Sequence, residues 1–503
     1  MGRAAGWLAV GLAACTGLGP EGNETIDADG DGFGQTIDCD DTDPVVGGSE
    51  VPYDGIDNDC DPSTPDDDVD GDGFGVAEDC DDDDPERAQG PEVPYDGIDN
   101  DCDPSTPDDD LDGDGVGMAT DCDDADPTVQ LDETVEDLAG ALDWPEIATV
   151  CDGLCSLRVT GRLAIGGQGP ATDLSALDCI VSVGGDAVLF DFQTNLARIE
   201  LPRLESVGGA LEIFDLTALE TLSLPALTTV GGTLSIENVP LLTSLDGLTA
   251  LRQTGGLELE NNASLADVRG LASLESSGSL LILLHPSLQT LEGLENLTEV
   301  TGDLAVSSND QLTTLDGLDA LVRVGGLLAF ASNPLLRESG LPRLDEVGGD
   351  VVFSQDPLLA TLAPLAPSSI GGSLQFGDMS ALADIDGFSQ ITAIPGRFEL
   401  ARSGVASLAG LAGVTAIGGP VNIQRNDALT SLSGLDAVAT VGFDLSIAFN
   451  PALTDVTALE GAAIGEDVFI YENRALGDAA AQALVDSFAS VGGTTISVFD
   501  NDP

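Results

Sequence analysis

Gly232-Thr233-Leu234-Ser235-Ile236, followed after a turn by Leu242-Thr243-Ser244-Leu245-Asp246-Gly247-Leu248-Thr249-Ala250-Leu251, is the stretch that decides the fold. Leu234 and Ile236 alternate with polar neighbours, the period of a short strand with one face turned inward. The aliphatics of the second half fall every third residue and suit a return path along the other side of a coil. From about Val159 onward the unit recurs every 23 to 24 residues, marked by Gly232, Gly255, Gly278, Gly302, Gly326, Gly349, Gly372, Gly396 and Gly419. A period in this range means a solenoid, here of about thirteen or fourteen turns, no one of which can bury its apolar face alone.

Three residues after the second inward strand position many units carry an amide or acid: Asn262, Asn309, Asn333, Asp356, Asn426, Asn450 and Asn473. Such side chains suit bonding of turn backbone from coil to coil. His285, the chain's one histidine, occupies the same slot and reads as a rung rather than as a catalytic or metal-binding group.

Outward strand positions are apolar in the middle units (Leu281, Leu283, Leu327, Ala329, Ala331, Val352) and polar elsewhere (Glu258, Glu260, Gln375, Glu399, Asn422). An apolar strip of this kind can mark a contact face. Near the end, Ala479 to Phe488 breaks the repeat and reads as a helix with Asp478 as N-cap, closing the coil with Ala481, Leu484, Val485 and Phe488. At the other end Val135 to Leu142 reads as a short amphipathic cap.

The repeat, with Val/Ile-Gly-Gly before many strands and an extra residue in the Asn turn, resembles the receptor L domain over about residues 150 to 503. That resemblance implies a mostly β fold, a right-handed leucine-rich β-helix solenoid. An ordinary leucine-rich repeat is the near alternative.

Ahead of the solenoid the chain changes character. Residues 21 to 140 hold 44 Asp or Glu against one basic residue, Arg87, out of a net charge of −75 for all 503 residues. Asp27-Ala28-Asp29-Gly30-Asp31-Gly32-Phe33-Gly34 returns as Asp68 to Gly75 and Asp110 to Gly117, each with an aspartate eleven residues after the first. A twelve-residue calcium loop takes oxygens from positions 1, 3 and 5, a carbonyl at 7 and a carboxylate at 12, with glycine at 6 for the sharp turn. Those positions are Asp27, Asp29, Asp31, Phe33 and Asp38; Asp68, Asp70, Asp72, Phe74 and Asp79; and Asp110, Asp112, Asp114, Val116 and Asp121, with Gly32, Gly73 and Gly115 at position 6. A merely disordered acidic spacer needs neither those glycines nor the cysteine after each position 12: Cys39, Cys80 and Cys122.

The flanks lack any helical stripe, so these are not EF-hands and the ion must act as scaffold. A second motif, Asp54-Gly55-Ile56-Asp57-Asn58-Asp59-Cys60-Asp61, recurs as Asp96 to Asp103 and reads as a place for further ions. The arrangement resembles the bacterial metal-binding repeats grouped with a secreted methanotroph copper protein and, more loosely, the calcium repeats of thrombospondin, over about residues 24 to 128. Hard carboxylate oxygens and the absence of histidine here suit calcium rather than copper. With so little apolar material, ordering of this part should be linked to ion binding.

Met1-Gly2-Arg3, an apolar run too short to span a bilayer and Leu12-Ala13-Ala14-Cys15 resemble a bacterial lipoprotein signal with Cys15 acylated. Thr16 after it favours the outer membrane over inner-membrane retention, so the expected localisation is a lipid-anchored protein at the cell surface. Of nine cysteines, eight then remain, an even number suiting an oxidising compartment. Cys39–Cys60, Cys80–Cys102, Cys155–Cys179 and Cys122–Cys151 are one possible pairing of the 105 available.

The expected organisation is a signal peptide over 1–14, a tether over 15–26, calcium-binding repeats over 27–128, a linker and N-terminal cap over 129–150, and the solenoid with its C-terminal cap over 151–503. The chain has no lysine, and its charge argues against nucleic acid as a partner. Expected partners are calcium ions, a membrane through the anchor, and a protein or glycan ligand. The function reading is non-enzymatic adhesion or recognition. One alternative is a structural stalk or calcium buffer. Another is a calcium-dependent polysaccharide-processing enzyme, disfavoured because arginines such as Arg252, Arg323, Arg397 and Arg425 are scattered and no nucleophile with its base appears.

Overall fold

The computed structural model describes residues 27–32, 38, 40, 42–46, 49, 51–53, 55–61, 66, 68–70, 74, 81, 83–84, 93 and 111 of the acidic segment and, beyond it, 132–135, 150–151, 156–165, 174–190 and 195–502. Two compact units divide the chain, residues 1–129 and 130–503.

The second unit is a parallel β-solenoid of about 14 turns with very little helix. Its regularity follows from the repeat. Leu257 and Leu259 pair with Leu280 and Ile282 of the next coil, and these with Leu304 and Val306. Leu328 and Phe330 then pair with Val351 and Phe353, and these with Leu374 and Phe376. Every inward side chain therefore stacks on its counterpart, and in these strands burial alternates residue by residue as period 2 requires. A two-residue strand such as Arg323–Val324 precedes the Gly-Gly bend and adds a second, shorter parallel ladder.

The Gly-Gly bend has a steric cause. A Cβ on Gly348 would lie 2.1 Å from the Gly325 carbonyl oxygen of the preceding coil, and one on Gly371 only 2.0 Å from that of Gly348. Coils turn so tightly here that backbone fills the space of a side chain. The Leu-x-x-Leu return completes the interior: Leu242, Leu245, Leu248 and Leu251 are fully buried. Mid-solenoid, Phe330, Phe353 and Phe376 stack with centroids 5.4 and 6.1 Å apart, and Phe388 meets Phe376 edge-on at 5.7 Å.

The rungs bond as their composition suggests. Asn450 Oδ1 accepts from the Asn426 amide N–H at 3.0 Å, while its Nδ2 donates to the Ile423 carbonyl at 2.9 Å. Asn333 does the same toward Asn309 N–H and the Val306 carbonyl. His285 is a rung: its Nδ1 receives the Asn262 N–H at 3.2 Å and its Nε2 lies 3.1 Å from the Leu259 carbonyl. Burial holds its pKa below the ordinary histidine value, against the raising effect of those backbone bonds, so it is neutral.

One rung differs. Asp356 accepts the Asn333 N–H at 2.6 Å, but its Oδ2 is buried with no partner, and the same slot one coil on holds Met379, which is fully buried. Burial, outweighing the bonds from Asn333, raises its carboxyl to about 7.

The helix runs Asp478–Ser487 and buries Ala481, Leu484 and Val485, with Phe488 packed against the core, as the spacing implies. Asp478 is not its N-cap. Gly477, at φ 81°, takes that position, and the Asp478 carboxylate instead accepts from Asn501 N and Nδ2 at 2.9 Å, ending the rung ladder. At the other end Val135 belongs to a strand, Asp132–Val135, paired in parallel with Ser156–Val159 rather than to an amphipathic cap, because extending the sheet satisfies its backbone. Residues 136–142 of that expected cap lie outside the described residues.

The disulfide at the solenoid's start joins Cys151 to Cys179, with Cα atoms 5.6 Å apart, the separation a bridge requires. This corrects both Cys155–Cys179 and Cys122–Cys151; one-period spacing is no guide where the first coil has not begun. Among the described residues no helix is long and apolar enough to cross a membrane.

Candidate metal centre

The acidic unit is built the opposite way. Among its described residues Val46 is the one buried aliphatic side chain, whereas Asp38, Asn58 and Asp68 are buried to 5%, 2% and 4% exposure. Val45, Val51, Tyr53, Val69, Val93 and Leu111 are exposed. Among the described residues, the buried side chains of this unit are mostly polar or charged, which is costly unless each is bonded or paired.

Asp27, Asp29 and Asp31 each turn a carboxylate oxygen to a common point, those atoms all within 4.8 Å of one another. The turn that gathers them needs glycine: Gly30 and Gly32 have φ of 81° and 104°, the left-handed region. Gly30 N–H donates to Asp27 Oδ1 at 2.7 Å and Asp31 N–H to Asp29 Oδ1 at 3.3 Å, which restrains both carboxylates. Asp38 receives the Asp40 N–H on Oδ1 at 2.9 Å.

Asp29 Oδ2 and Asp38 Oδ2 are buried without a partner. Desolvation raises the Asp29 pKa, an Asp31 backbone bond opposes this, and the negative charges of Asp31, Asp38 and Asp27 raise it further. Position 12 of the loop thus acts on the same cluster as positions 1, 3 and 5. Orphaned oxygens amid mutual repulsion are what a bound divalent cation would relieve, so these residues fit a metal.

Of the second loop, Asp68 is buried, while Asp70 and Phe74 are half-buried. Phe33, Asp72, Asp79, Asp110, Asp112, Asp114, Val116, Asp121 and Cys15 lie outside the described residues. Within the second motif, the structure gives Asn58 a structural part. Asn58 accepts Val51 N–H at 3.0 Å and donates to the Val45 carbonyl at 2.8 Å, so it ties the chain together. Asp66 accepts Gly55 N–H at 2.9 Å. Among the described residues the one metal-sized carboxylate cluster is Asp27, Asp29 and Asp31. Cys60 is disulfide-bonded, its partner outside the described residues.

Three stretches, residues 38–66, 79–108 and 121–134, match the family model of a metal-binding motif named for copper binding, Cu-binding MopE. Each begins at position 12 of a loop, so the family's repeat and the chain's own agree in number and phase. The chain therefore carries three metal-binding motif repeats followed by a β-solenoid. No curated protein matches it.

Sequence reading missed the Asn58 tie, since an amide among aspartates looks like one more ligand. It also missed a groove on the solenoid around Arg425, although Arg402, Arg425 and Phe449, at a slot that most earlier coils fill with Asn, Asp, Ser or Gln, were a visible signal.

Proposed function

We propose that this protein is a calcium-binding surface lipoprotein, anchored through Cys15, that displays its solenoid for adhesion or recognition and performs no chemistry. The observation that carries the calcium reading is the interior of the acidic unit: buried carboxylates with unpartnered oxygens where a domain ordinarily has aliphatics. Asp27, Asp29, Asp31, Asp38 and the Phe33 carbonyl would hold the ion in the first loop. It would supply the positive charge that lets those carboxylates share one small volume.

Calcium is favoured over the copper of the family's name by the donor set. The acidic segment has no histidine, and its ligand positions offer oxygen alone. If the sites are of extracellular grade, with dissociation constants of about 10⁻⁴ to 10⁻³ M, millimolar calcium fills them partly to mostly.

Recognition is favoured by the mid-solenoid sheet face. Leu281, Ala305, Ala329 and Val352 are direct partners on consecutive strands and all half-buried, so the apolar strip is continuous. A role without chemistry is consistent with the arginines, which serve as inter-coil ties: Arg252 to Glu275 at 2.8 Å, Arg269 to Glu292 at 2.6 Å and Arg323 to Glu299 at 3.3 Å.

The test is calorimetric titration of the full chain with calcium and with copper(II). Saturable calcium uptake that copper does not displace supports the proposal; copper binding that expels calcium contradicts it.

A further inference from the structure

One residue in each coil, just before the rung, adopts the left-handed conformation. Along the solenoid these are mostly small or polar (Asn238, Asn261, Ser308, Ser332, Gln355), and several bond one another, as Asn261 to Asn238 at 2.6 Å and Ser332 to Gln355 at 2.7 Å. At Arg402, Arg425 and Phe449, with φ of 52°, 57° and 59°, large side chains take over a conformation that disfavours them. There the surface opens into a groove of about 810 Å³ that crosses five coils, from Ser380 to Arg474. Four coil spacings give it a length of about 19 Å.

The groove gathers three of the chain's 15 basic residues in a molecule of net charge −75. Arg402 is held in a two-pronged pair by Asp378, one contact being 2.7 Å, and Arg474 lies 3.3 Å from Glu472. Arg425 makes no ion pair among the described residues. Its guanidinium lies over the Phe449 ring, 5.1 Å from the centroid, and that ring meets Tyr471 edge-on at 5.3 Å, which stacks on Phe499 at 5.0 Å. A guanidinium over an aromatic ring, with no ion pair of its own among the described residues, keeps donors available for a carboxylate.

We propose that this groove binds an oligosaccharide bearing spaced carboxylates, an oligouronate, with one carboxylate on Arg425. The inference rests on the recognition reading above. Asp427, Glu472 and Ser380 line the same groove and can accept or exchange hydrogen bonds with sugar hydroxyls, and Pro451 offers an apolar wall to a sugar face. Those acids, and the net charge of the chain, disfavour a dense polyanion.

The experiment titrates tetragalacturonate into the full chain at saturating calcium, beside a neutral tetrasaccharide and tetraglutamate. Arg425→Gln should weaken uronate binding by roughly tenfold to a hundredfold, the loss of one charge-assisted pair. Arg425→Lys, which keeps the charge without the fork, should fall between, and Arg323→Gln on another part of the solenoid should change nothing. Unchanged melting of each variant establishes that the coil is intact. Uronate affinity that Arg425→Gln leaves unaltered, or tighter binding of tetraglutamate, overturns the groove assignment. If glycan binding persists in Arg425→Gln but is lost in Leu281→Asp/Leu327→Asp, recognition stands and the groove falls; if no glycan or cell surface binds the wild type, both fall.

Discussion

The two units of this chain are both repeats, yet they put opposite things inside. In the solenoid Leu, Ile, Val and Phe are buried coil after coil; in the acidic unit the described interior is Asp38, Asn58, Asp68 and a single valine. Burial of apolar area at about 25 cal/mol per Å² can order the first. The described residues of the second offer no comparable source, and on the proposed reading it draws on ions and crosslinks. Repetition alone therefore does not say what holds a repeat together.

Four variants would break or sharpen that contrast. The largest effect is expected from replacing position 12 of all three loops, Asp38, Asp79 and Asp121, by alanine. Calorimetry should then show calcium uptake lost while the thermal transition of the solenoid stays where it was; a solenoid transition that moved with calcium would blur the distinction. Phe353→Ala, in the middle of the stacked aromatics, should cost about 3–5 kcal/mol in urea unfolding of the solenoid. The same change should leave calcium affinity alone.

Asp356 comes next, since it places a carboxyl in the apolar unit. Its native value is raised from 3.8 to about 7, so the folded chain holds a proton that the unfolded chain releases. Stability from this group is present below pH 4 and falls as pH rises to 7, by at most about 4 kcal/mol. Asp356→Asn, whose Nδ2 can reach the carbonyl that Asn333 and Asn450 reach from their own coils, should match wild type near pH 4. Above pH 7 it should be the more stable; equal pH profiles for the two would show that Asp356 is not a protonated rung. The smallest effect is expected at Arg269→Ala. Its pair with Glu292 is exposed, and water and salt screen such pairs, so urea unfolding should scarcely move and any difference should shrink as salt is added.

Much of this was legible in the residues. Alternation in Leu234-Ser235-Ile236 gave the strand, and the 23 to 24 residue period gave its parallel partner. Asn slots predicted the rung ladder, His285 included, because a fixed position in each coil leaves little else for an amide to do. The ends were less legible. Asp478 looks like a cap by position, but the neighbouring Asn501 competes for its carboxylate, and Val135 entered a strand because an open sheet edge outweighs weak local helix preference. Cys151 with Cys179 could not be read, since disulfide partners depend on where the first coil closes. In the acidic unit the loop spacing picked out Asp27, Asp29 and Asp31 as a cluster, yet it could not separate ligands from ties: Asn58 is distinguished by what its amide reaches across the fold.

The most direct test of the central claim is amide hydrogen exchange on the full chain, in millimolar calcium and again in excess chelator. The account predicts that peptides from residues 27 to 128 lose protection when calcium is withdrawn while those from the solenoid keep theirs. Equal protection of the acidic unit in both conditions would contradict it.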